Sequence, residues 1–185
     1  MEDWTNNDWQ TPMNIAELMA DLIHPMEIDI LEPAAGTGQI VRSINTKNRN
    51  VTAIEIKKSR YEKATGIANW INGDFFNHYD KYDLIIGNPP FSLRIEFIKH
   101  SLELLNPNGR ILFLLPIDFY CGKKTGDAWR GLSCYIHHQY TFQHRIAYLG
   151  KDGIPQKGRQ IYDAVFDIRV GNSGSVTFLE YANCK

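Results

Sequence analysis

Four consecutive residues, Asn88-Pro89-Pro90-Phe91, have the types and order that could bind and activate a planar amine. Two successive prolines remove two backbone donors and fix two φ angles, and Pro89 also holds Asn88 extended. The Asn88 amide oxygen and the Pro89 carbonyl therefore stay free to accept hydrogen bonds, and Phe91 supplies a flat apolar face. Two acceptors on a ring NH2 group would localise its lone pair for attack. We interpret this turn as catalytic rather than as a proline-rich strand terminator.

A loop of small residues lies upstream of this turn. It reads Glu32-Pro33-Ala34-Ala35-Gly36-Thr37-Gly38. Small residues between a strand and a helix let backbone amides approach a ligand closely at the carboxyl end of a sheet. The dinucleotide fingerprint needs a third glycine or alanine where Val41 stands, and a Walker loop needs a Gly-Lys-Ser/Thr that is absent. Both phosphate-binding interpretations are therefore weakened, and for the loop alone a plain structural turn is the alternative.

Two carboxylates follow the next strand-like segments. Glu55 comes 19 residues after Gly36, about where an acid accepts hydrogen bonds from ribose hydroxyls. Asp74 is placed to accept a hydrogen bond from an adenine amino group, while the neighbouring Phe75 covers the ring. Each acid alone is more simply a solvated loop residue, but together, at successive strand ends, they predict a nucleoside pocket.

Alternating strand-like and helix-like segments must position these residues. Short apolar or β-branched runs predict buried strands over residues 28–31, 51–54, 82–86 and 110–116. Helices are predicted between them over residues 39–43, 57–68 and 95–105, the last ended by a turn at Pro107-Asn108-Gly109. This alternation is typical of a mainly parallel α/β sheet with helices on both faces. Residues 161–170 and 176–181 predict an antiparallel hairpin at its edge.

The composition excludes several classes of protein. At 185 residues, 43% hydrophobic and 22% charged, the chain lies near globular averages, which disfavours disorder, collagen and coiled coils. We predict one domain, 1–185, with no membrane partner because no apolar run is long enough for a span. The acidic start and three cysteines outside any C-x-x-C pair favour a cytoplasmic location. Without Cys or acidic residues at ligand spacing, we expect no metal site.

A loop-rich insertion at about 117–160, with a little helix near 129–138, carries a local excess of positive charge. The whole chain has a net charge of −1, but this stretch holds seven Lys and Arg against three Asp and Glu. Such an excess can form a footprint for a polyanion, and chance segregation of surface charge is the alternative. The candidate nucleic-acid-binding residues are Lys123, Lys124, Arg130, Arg145, Lys151, Lys157 and Arg159, with Tyr120, Trp129 and Tyr135 interleaved.

Together these motifs resemble those of S-adenosylmethionine-dependent amino-methyltransferases, most closely the adenine-N6 DNA methyltransferases. Asn88-Pro89-Pro90-Phe91 matches the family's Asp/Asn-Pro-Pro-Tyr/Phe motif, and the small-residue loop resembles its cofactor loop. The segment Trp9–Pro12 is similar to the amino-terminal motif whose Thr-Pro region closes over the methionine part of the cofactor. The residues implied to bind S-adenosyl-L-methionine are Trp9, Gln10, Thr11, Pro12, Glu32, Pro33, Ala34, Gly36, Gly38, Glu55, Ile56, Asp74, Phe75 and Asn88.

The resemblance implies a Rossmann-like class I methyltransferase fold and methyl transfer to N6 of an extruded adenine, most simply in DNA. Asn88 and Pro89 would bind N6, and Phe91 would stack on the base. The motif order matches a branch with a carboxyl-terminal target-recognition domain, which we expect this chain to lack. Selectivity would then be low, a second subunit would supply recognition, or the substrate would not be duplex DNA. The alternatives are an RNA adenine methyltransferase, a protein glutamine-amide methyltransferase, or a non-catalytic cofactor-binding subunit.

Overall fold

The computed structural model describes residues 9–150, 153–155 and 161–171. In these residues seven strands form one sheet: β1 (Asp29–Glu32), β2 (Asn50–Glu55), β3 (Asn69–Asn72), β4 (Tyr82–Gly87), β5 (Leu105–Pro116), β6 (Cys134–Thr141) and β7 (Asp163–Val170). Their order across the sheet is β3-β2-β1-β4-β5-β7-β6. The first five strands are parallel, and β7 runs antiparallel to both β5 and β6. The predicted mainly parallel α/β sheet with an antiparallel pair at its edge is confirmed.

Helices cover both faces of this sheet. They are α1 (Met13–Ala20), α2 (Gln39–Ser43), α3 (Lys58–Tyr61), α4 (Arg94–Glu103) and α5 (Lys123–Arg130). Successive residues of a strand point to opposite faces, so Ile30 and Leu84 pack with α1 and α2, whereas Leu31 and Ile85 pack with α4 and α5. Burial on both faces explains the nearly continuous apolar runs of the central strands. None of the helices in the described residues has the length and apolar character needed to cross a membrane.

The strand order creates a crevice at the carboxyl ends of the parallel strands. β1 has β2 on one side and β4 on the other, so the chain builds the sheet outward from β1 to β3 and then crosses to the other side of β1 to form β4. In open parallel sheets, ligands bind outside the carboxyl ends of the strands at such a switch point. Glu32 and Glu55 end β1 and β2, and Asn88 directly follows β4. The fold therefore brings the predicted site residues to the same edge.

Two helices differ from the sequence predictions. The predicted helix over residues 57–68 is much shorter, because α3 ends at Tyr61 and Gly66 has φ +109°, which no α-helix can include. The helix α1 was not predicted. Its buried residues are Ile15, Ala16 and Met19, and it begins directly after Pro12, a residue that is tolerated at helix starts.

Within residues 117–160, the helix predicted near 129–138 is misplaced, because the helix ends at Arg130 and Cys134–Thr141 form a strand. The segment contains α5 and the edge strand β6, whose residues alternate poorly and are partly exposed. An edge strand buries few apolar side chains, so its hydrophobic pattern is weak. The hairpin partner of β7 is β6, and the predicted strand over residues 176–181 lies outside the described residues.

The predicted turn at Pro107-Asn108-Gly109 lies inside β5 rather than before it. Asn108 has φ +66°, and the pairing of β4 with β5 shifts register between Tyr82 and Leu84. The turn-forming residues therefore produce an irregularity at the start of the strand, because the chain is already paired with β4 at Leu105.

A buried ionic network joins the loop before β1 to the strands β5 and β7. The Arg110 guanidinium donates to Glu27 Oε1 at 2.5 Å and to Asp167 Oδ2 at 3.0 Å, and all three side chains are almost fully buried. Asp167 also accepts two hydrogen bonds from Arg169. Because each buried charge has an opposite partner, the network links the loop before β1 to β5 and β7 without leaving an unpaired ion.

Candidate active site

A cavity of about 390 Å³ lies at the carboxyl edge of the parallel strands, within the range typical of small-molecule sites. The predicted site residues that line it are Trp9, Gln10, Thr11, Glu32, Pro33, Ala34, Gly36, Glu55, Ile56, Asp74, Phe75, Asn88 and Pro90. The predicted residues that do not line it are Pro12, Gly38, Pro89 and Phe91. The cavity therefore connects the small-residue loop with the Asn-Pro-Pro turn.

Two glycines of the small-residue loop adopt backbone conformations that other residues rarely tolerate. Gly36 has φ +58° and Gly38 has φ +89°. A Cβ atom on Gly36 would lie 2.6 Å from Gln10 Oε1, and one on Gly38 would lie 2.2 Å from the Thr65 carbonyl oxygen. Gly36 thus allows the loop to approach the amino-terminal segment at the cavity, whereas Gly38 allows the chain after α3 to pack behind it.

Glu55 holds the small-residue loop through its carboxylate. Oε2 accepts a hydrogen bond from the Gly36 amide at 2.7 Å, and Oε1 accepts one from the Lys57 amide at 2.7 Å. Burial raises the pKa of Glu55, and the two amides oppose that rise. Each carboxylate oxygen has a second lone pair, so Glu55 can hold the loop and still accept hydrogen bonds from a ligand in the cavity.

Glu32 is the most strongly perturbed acid of the cavity. It is 3% exposed, and its Oε2 accepts a hydrogen bond from the Val41 amide in α2 at 3.1 Å. Burial raises the pKa of the Glu32 carboxyl well above its usual value of 4.5. The environment therefore favours the neutral form, which can donate a hydrogen bond as well as accept one.

An aromatic cluster that includes Phe75, Phe76 and Phe97 contributes to the cavity lining. Asp74 Oδ1 accepts from the Phe76 amide at 3.0 Å and caps the short 3₁₀ turn Phe75–Asn77. The Phe75 ring is 2% exposed and stacks on Phe97, with centroids 4.8 Å apart. His100 packs edge-on against the same ring at 4.8 Å. The ring predicted to cover a base is therefore fixed in position by two residues of α4.

Asn88 lines the cavity, and its side chain holds one buried acceptor that is unpaired among the described residues. Its Nδ2 donates to Thr11 Oγ1 at 3.2 Å and to the Trp9 carbonyl at 3.4 Å. A carbonyl can only accept, so the amide nitrogen must face Trp9 and the oxygen must face away from it. Asn88 Oδ1 is buried, and no atom of the described residues donates to it. Because an unsatisfied buried acceptor costs about 1–3 kcal/mol, this atom is suited to a donor on a bound ligand.

Phe91 does not present the open flat face that the sequence predicts. It is 8% exposed and lies in the core on the α1 and α2 face, edge-on to Tyr148 at 6.2 Å. The Arg94 guanidinium donates to the carbonyls of Phe91 and Phe119, at 2.6 and 2.9 Å. These bonds tie the turn after Pro90 to the segment that follows β5.

The sequence analysis missed several residues of the cavity lining. They include Gln39, Lys57, Arg60, Ser92, Leu93 and Phe97. Lys57 and Arg60 follow Glu55 closely, and Ser92 and Leu93 follow Phe91, so proximity to a predicted residue was an available signal. Phe97 carried no such signal, because it appears in the sequence as one more apolar residue of a helix face.

The predicted basic residues that the structure describes do not line the cavity. Lys123 and Lys124 are exposed in the first turn of α5. Arg130 ends the same helix and pairs with Asp127, whereas the Arg145 guanidinium lies over the Tyr162 ring at 5.2 Å. Lys151, Lys157 and Arg159 fall outside the described residues. Trp129 is 5% exposed and packs against Phe119, so its ring is not available to stack on a base.

Comparison with known proteins finds methyltransferases. No family model matches the chain. The chain is 35% identical to the Type II methyltransferase M.CvrRI of Paramecium bursaria Chlorella virus XZ-6E, over 55% of this chain and 28% of that protein. It is 31% identical to the tRNA1(Val) (adenine(37)-N6)-methyltransferase of Glaesserella parasuis serovar 5 (strain SH0165), over 51% of this chain and 53% of that protein. The chain thus spans about half of one curated relative and less of the other.

The architecture has counterparts among solved structures. A protein from Listeria monocytogenes, assigned to the class I S-adenosylmethionine-dependent methyltransferases, superimposes with a TM-score of 0.69 at 12% identity. The superposition covers 96% of this chain and 65% of that chain. The chain has the class I S-adenosylmethionine-dependent methyltransferase fold, and this fold and the relatives imply S-adenosyl-L-methionine as the cofactor.

Proposed function

We propose that the chain is a methyltransferase that modifies the N6 amino group of adenine in nucleic acid, with DNA as the first candidate substrate. The observation that carries this proposal is the buried, unpaired Oδ1 of Asn88 in the lining of the cavity that also includes Gly36 and Glu55. An exocyclic amine supplies the hydrogen that this acceptor lacks.

The residues of the cavity fit the implied cofactor. The absence of a side chain at Gly36 lets Gln10 pack against the small-residue loop, and the Glu55 carboxylate retains lone pairs for the ribose hydroxyls. Asp74 and Phe75 form the end suited to the adenine, and the segment with Thr11 forms the end suited to the methionine part. When bound, S-adenosyl-L-methionine supplies an electrophilic methyl group.

The chain's own residues supply orientation rather than a base. Asn88 Oδ1 accepts one hydrogen of N6, which helps to localise the nitrogen lone pair. The Pro89 carbonyl, to which the sequence assigned the second hydrogen, belongs to a residue that does not line the cavity. N6 can lose its proton after methylation, so no strong general base is needed and catalysis rests on placement. Pro90 and Leu93 line the cavity and provide the apolar contact that the sequence analysis assigned to Phe91.

DNA and RNA are separate candidates, each with its own support. The relation to a Type II methyltransferase at 35% identity and the family resemblance of the motifs support DNA. The relation to a tRNA adenine-N6 methyltransferase, of which the chain spans a larger share, supports RNA as the second candidate. Lys123, Lys124 and Arg145 are exposed and suited to phosphate contacts, and a second subunit would supply sequence recognition.

The proposal is tested by methyl transfer from S-adenosyl-L-methionine with a radioactive methyl group. The purified chain is incubated separately with unmethylated DNA, with unmodified tRNA and with protein, and the labelled nucleosides are identified by mass spectrometry. We expect N6-methyladenine in one nucleic acid, and no product with Asn88→Ala although its cofactor affinity stays within a few-fold. Asn45→Ala, at an exposed loop position, is the control. Label found in protein alone, or full activity of Asn88→Ala, would contradict the proposal.

A further inference from the structure

We infer that Thr11 is a positioning residue that holds the Asn88 amide with its oxygen directed away from Trp9 and Thr11. The inference rests on the proposed role of Asn88 and goes beyond the cofactor contact expected for this segment. Thr11 is 6% exposed and lines the cavity. Its Oγ1 accepts the hydrogen bond from Asn88 Nδ2 at 3.2 Å, the shorter of the two bonds which that nitrogen makes.

The orientation of the Asn88 amide needs such a partner. The terminal torsion of an asparagine side chain is broad and roughly two-fold, so both amide orientations are accessible without external contacts. A reversed amide would place its NH2 group against the NH2 group of the substrate, where neither can accept. The Trp9 carbonyl determines the direction of the amide because it only accepts, and the Thr11 hydroxyl adds the second bond on the same side.

Thr11 is held in place from both sides along the chain. The preceding residue, Gln10, exchanges two backbone hydrogen bonds with Leu149, at 3.0 and 3.1 Å. The following residue, Pro12, accepts from the amides of Ile15 and Ala16 at the start of α1. The side chain of Thr11 is β-branched and therefore has few accessible rotamers. The hydroxyl that contacts Asn88 is therefore positioned before any ligand binds.

If Thr11 is a positioning residue, the loss of its hydroxyl should lower the rate of methyl transfer and leave the affinity for the cofactor nearly unchanged. Thr11→Val keeps the branched shape and removes only the hydroxyl. We expect kcat to fall about tenfold, the effect of losing about 1.4 kcal/mol of transition-state stabilisation, whereas the cofactor Kd changes less than threefold. Thr11→Ser keeps the hydroxyl and recovers most of kcat. If Thr11 only binds cofactor, Thr11→Val raises the cofactor Kd and leaves kcat at saturation unchanged, which would overturn the inference.

The contact is also measurable without any methyl acceptor. In the ¹⁵N-labelled full chain, the Asn88 side-chain NH2 signals are identified by their loss in Asn88→Asp. We expect these signals to shift and to exchange faster with solvent in Thr11→Val and Thr11→Ala, and to stay near their wild-type values in Thr11→Ser. Unchanged signals in both hydroxyl-free variants, with wild-type melting temperatures, would overturn the inference. If the wild-type chain methylates no nucleic acid, the proposed function fails, while the NMR comparison still decides whether Thr11 orients Asn88.

Discussion

The Glu55 carboxylate accepts a hydrogen bond from the Gly36 amide at 2.7 Å, which joins the end of β2 to the small-residue loop after β1. The second oxygen of the same carboxylate accepts from the Lys57 amide. One acid therefore shapes the loop and faces the cavity at the same time. Its structural and ligand-binding roles cannot be separated by deleting the side chain, but they can be probed by changing one oxygen.

Glu55→Gln replaces one acceptor oxygen with an NH2 group that must face a backbone donor, either the Gly36 or the Lys57 amide. We expect the Kd for S-adenosyl-L-methionine to rise about tenfold or more, since hydrogen bonds to charged groups contribute about 1.5–3 kcal/mol. Isothermal titration calorimetry measures this change. Glu62→Gln is the matched control, because Glu62 is exposed and its carboxylate lies 3.8 Å from the Lys58 ammonium. Equal affinity of the two variants would contradict the assigned role.

Glu32→Gln should stabilise the folded chain at neutral pH. Burial raises the pKa of Glu32 above 4.5 in the folded state, so the unfolded state releases the proton first as the pH rises. Stability from this group is therefore complete below about pH 4.5 and decreases as the pH rises toward the folded-state pKa. Glutamine keeps an oxygen for the Val41 amide and does not ionise.

Urea unfolding at several pH values between 4 and 8 tests this expectation. The free energy of unfolding of Glu32→Gln should exceed that of wild type at pH 7, because burial of the Glu32 carboxyl disfavours its ionised form and raises its pKa. The difference should shrink toward pH 4. A difference that is independent of pH would show that packing, rather than ionisation, separates the two proteins.

Arg110→Met should destabilise the fold by about 3 kcal/mol or more. The substitution leaves Glu27 without its cation in a buried environment, and removal of one partner of a buried ion pair is strongly unfavourable. Arg130→Met is the matched control, because Arg130 and Asp127 are half exposed and such pairs contribute less than about 1 kcal/mol. Chemical denaturation of both variants gives the comparison. Similar losses of unfolding free energy in the two variants would mean that the buried network contributes no more to stability than the exposed pair.

The cysteines should differ in reactivity. Burial raises the pKa of the Cys134 thiol to about 12, and the thiolate is the reactive form. Cys121 is exposed. We expect iodoacetamide at pH 8 to modify Cys121 in the native chain and to reach Cys134 only after unfolding, as judged by mass spectrometry of the separate peptides. Rapid labelling of Cys134 in the native chain would show that its thiol is exposed to solvent, which would contradict the prediction.

Local patterns predicted the central part of this fold well. The strands β1, β2 and β4 were predictable because strands buried on both faces are nearly continuous apolar runs. The turn at Asn88-Pro89 was predictable because proline restricts the backbone of its immediate neighbours. The helix α1 and the strand β6 were missed, since a short helix and a half-exposed edge strand lack a strong period.

The sequence by itself determined which groups are available for chemistry: an asparagine before two prolines, a loop of small residues, and acids at successive strand ends. Only the tertiary structure decided how those groups are oriented. Thr11 and Trp9 lie 77 and 79 residues from Asn88, and their contacts determine which atom of its amide faces away from them. The burial of Phe91 beside Tyr148 and the stacking of Phe97 on Phe75 likewise depend on segments that meet only in the folded chain. Side-chain orientation follows from such long-range contacts, which a local pattern of residue types does not encode.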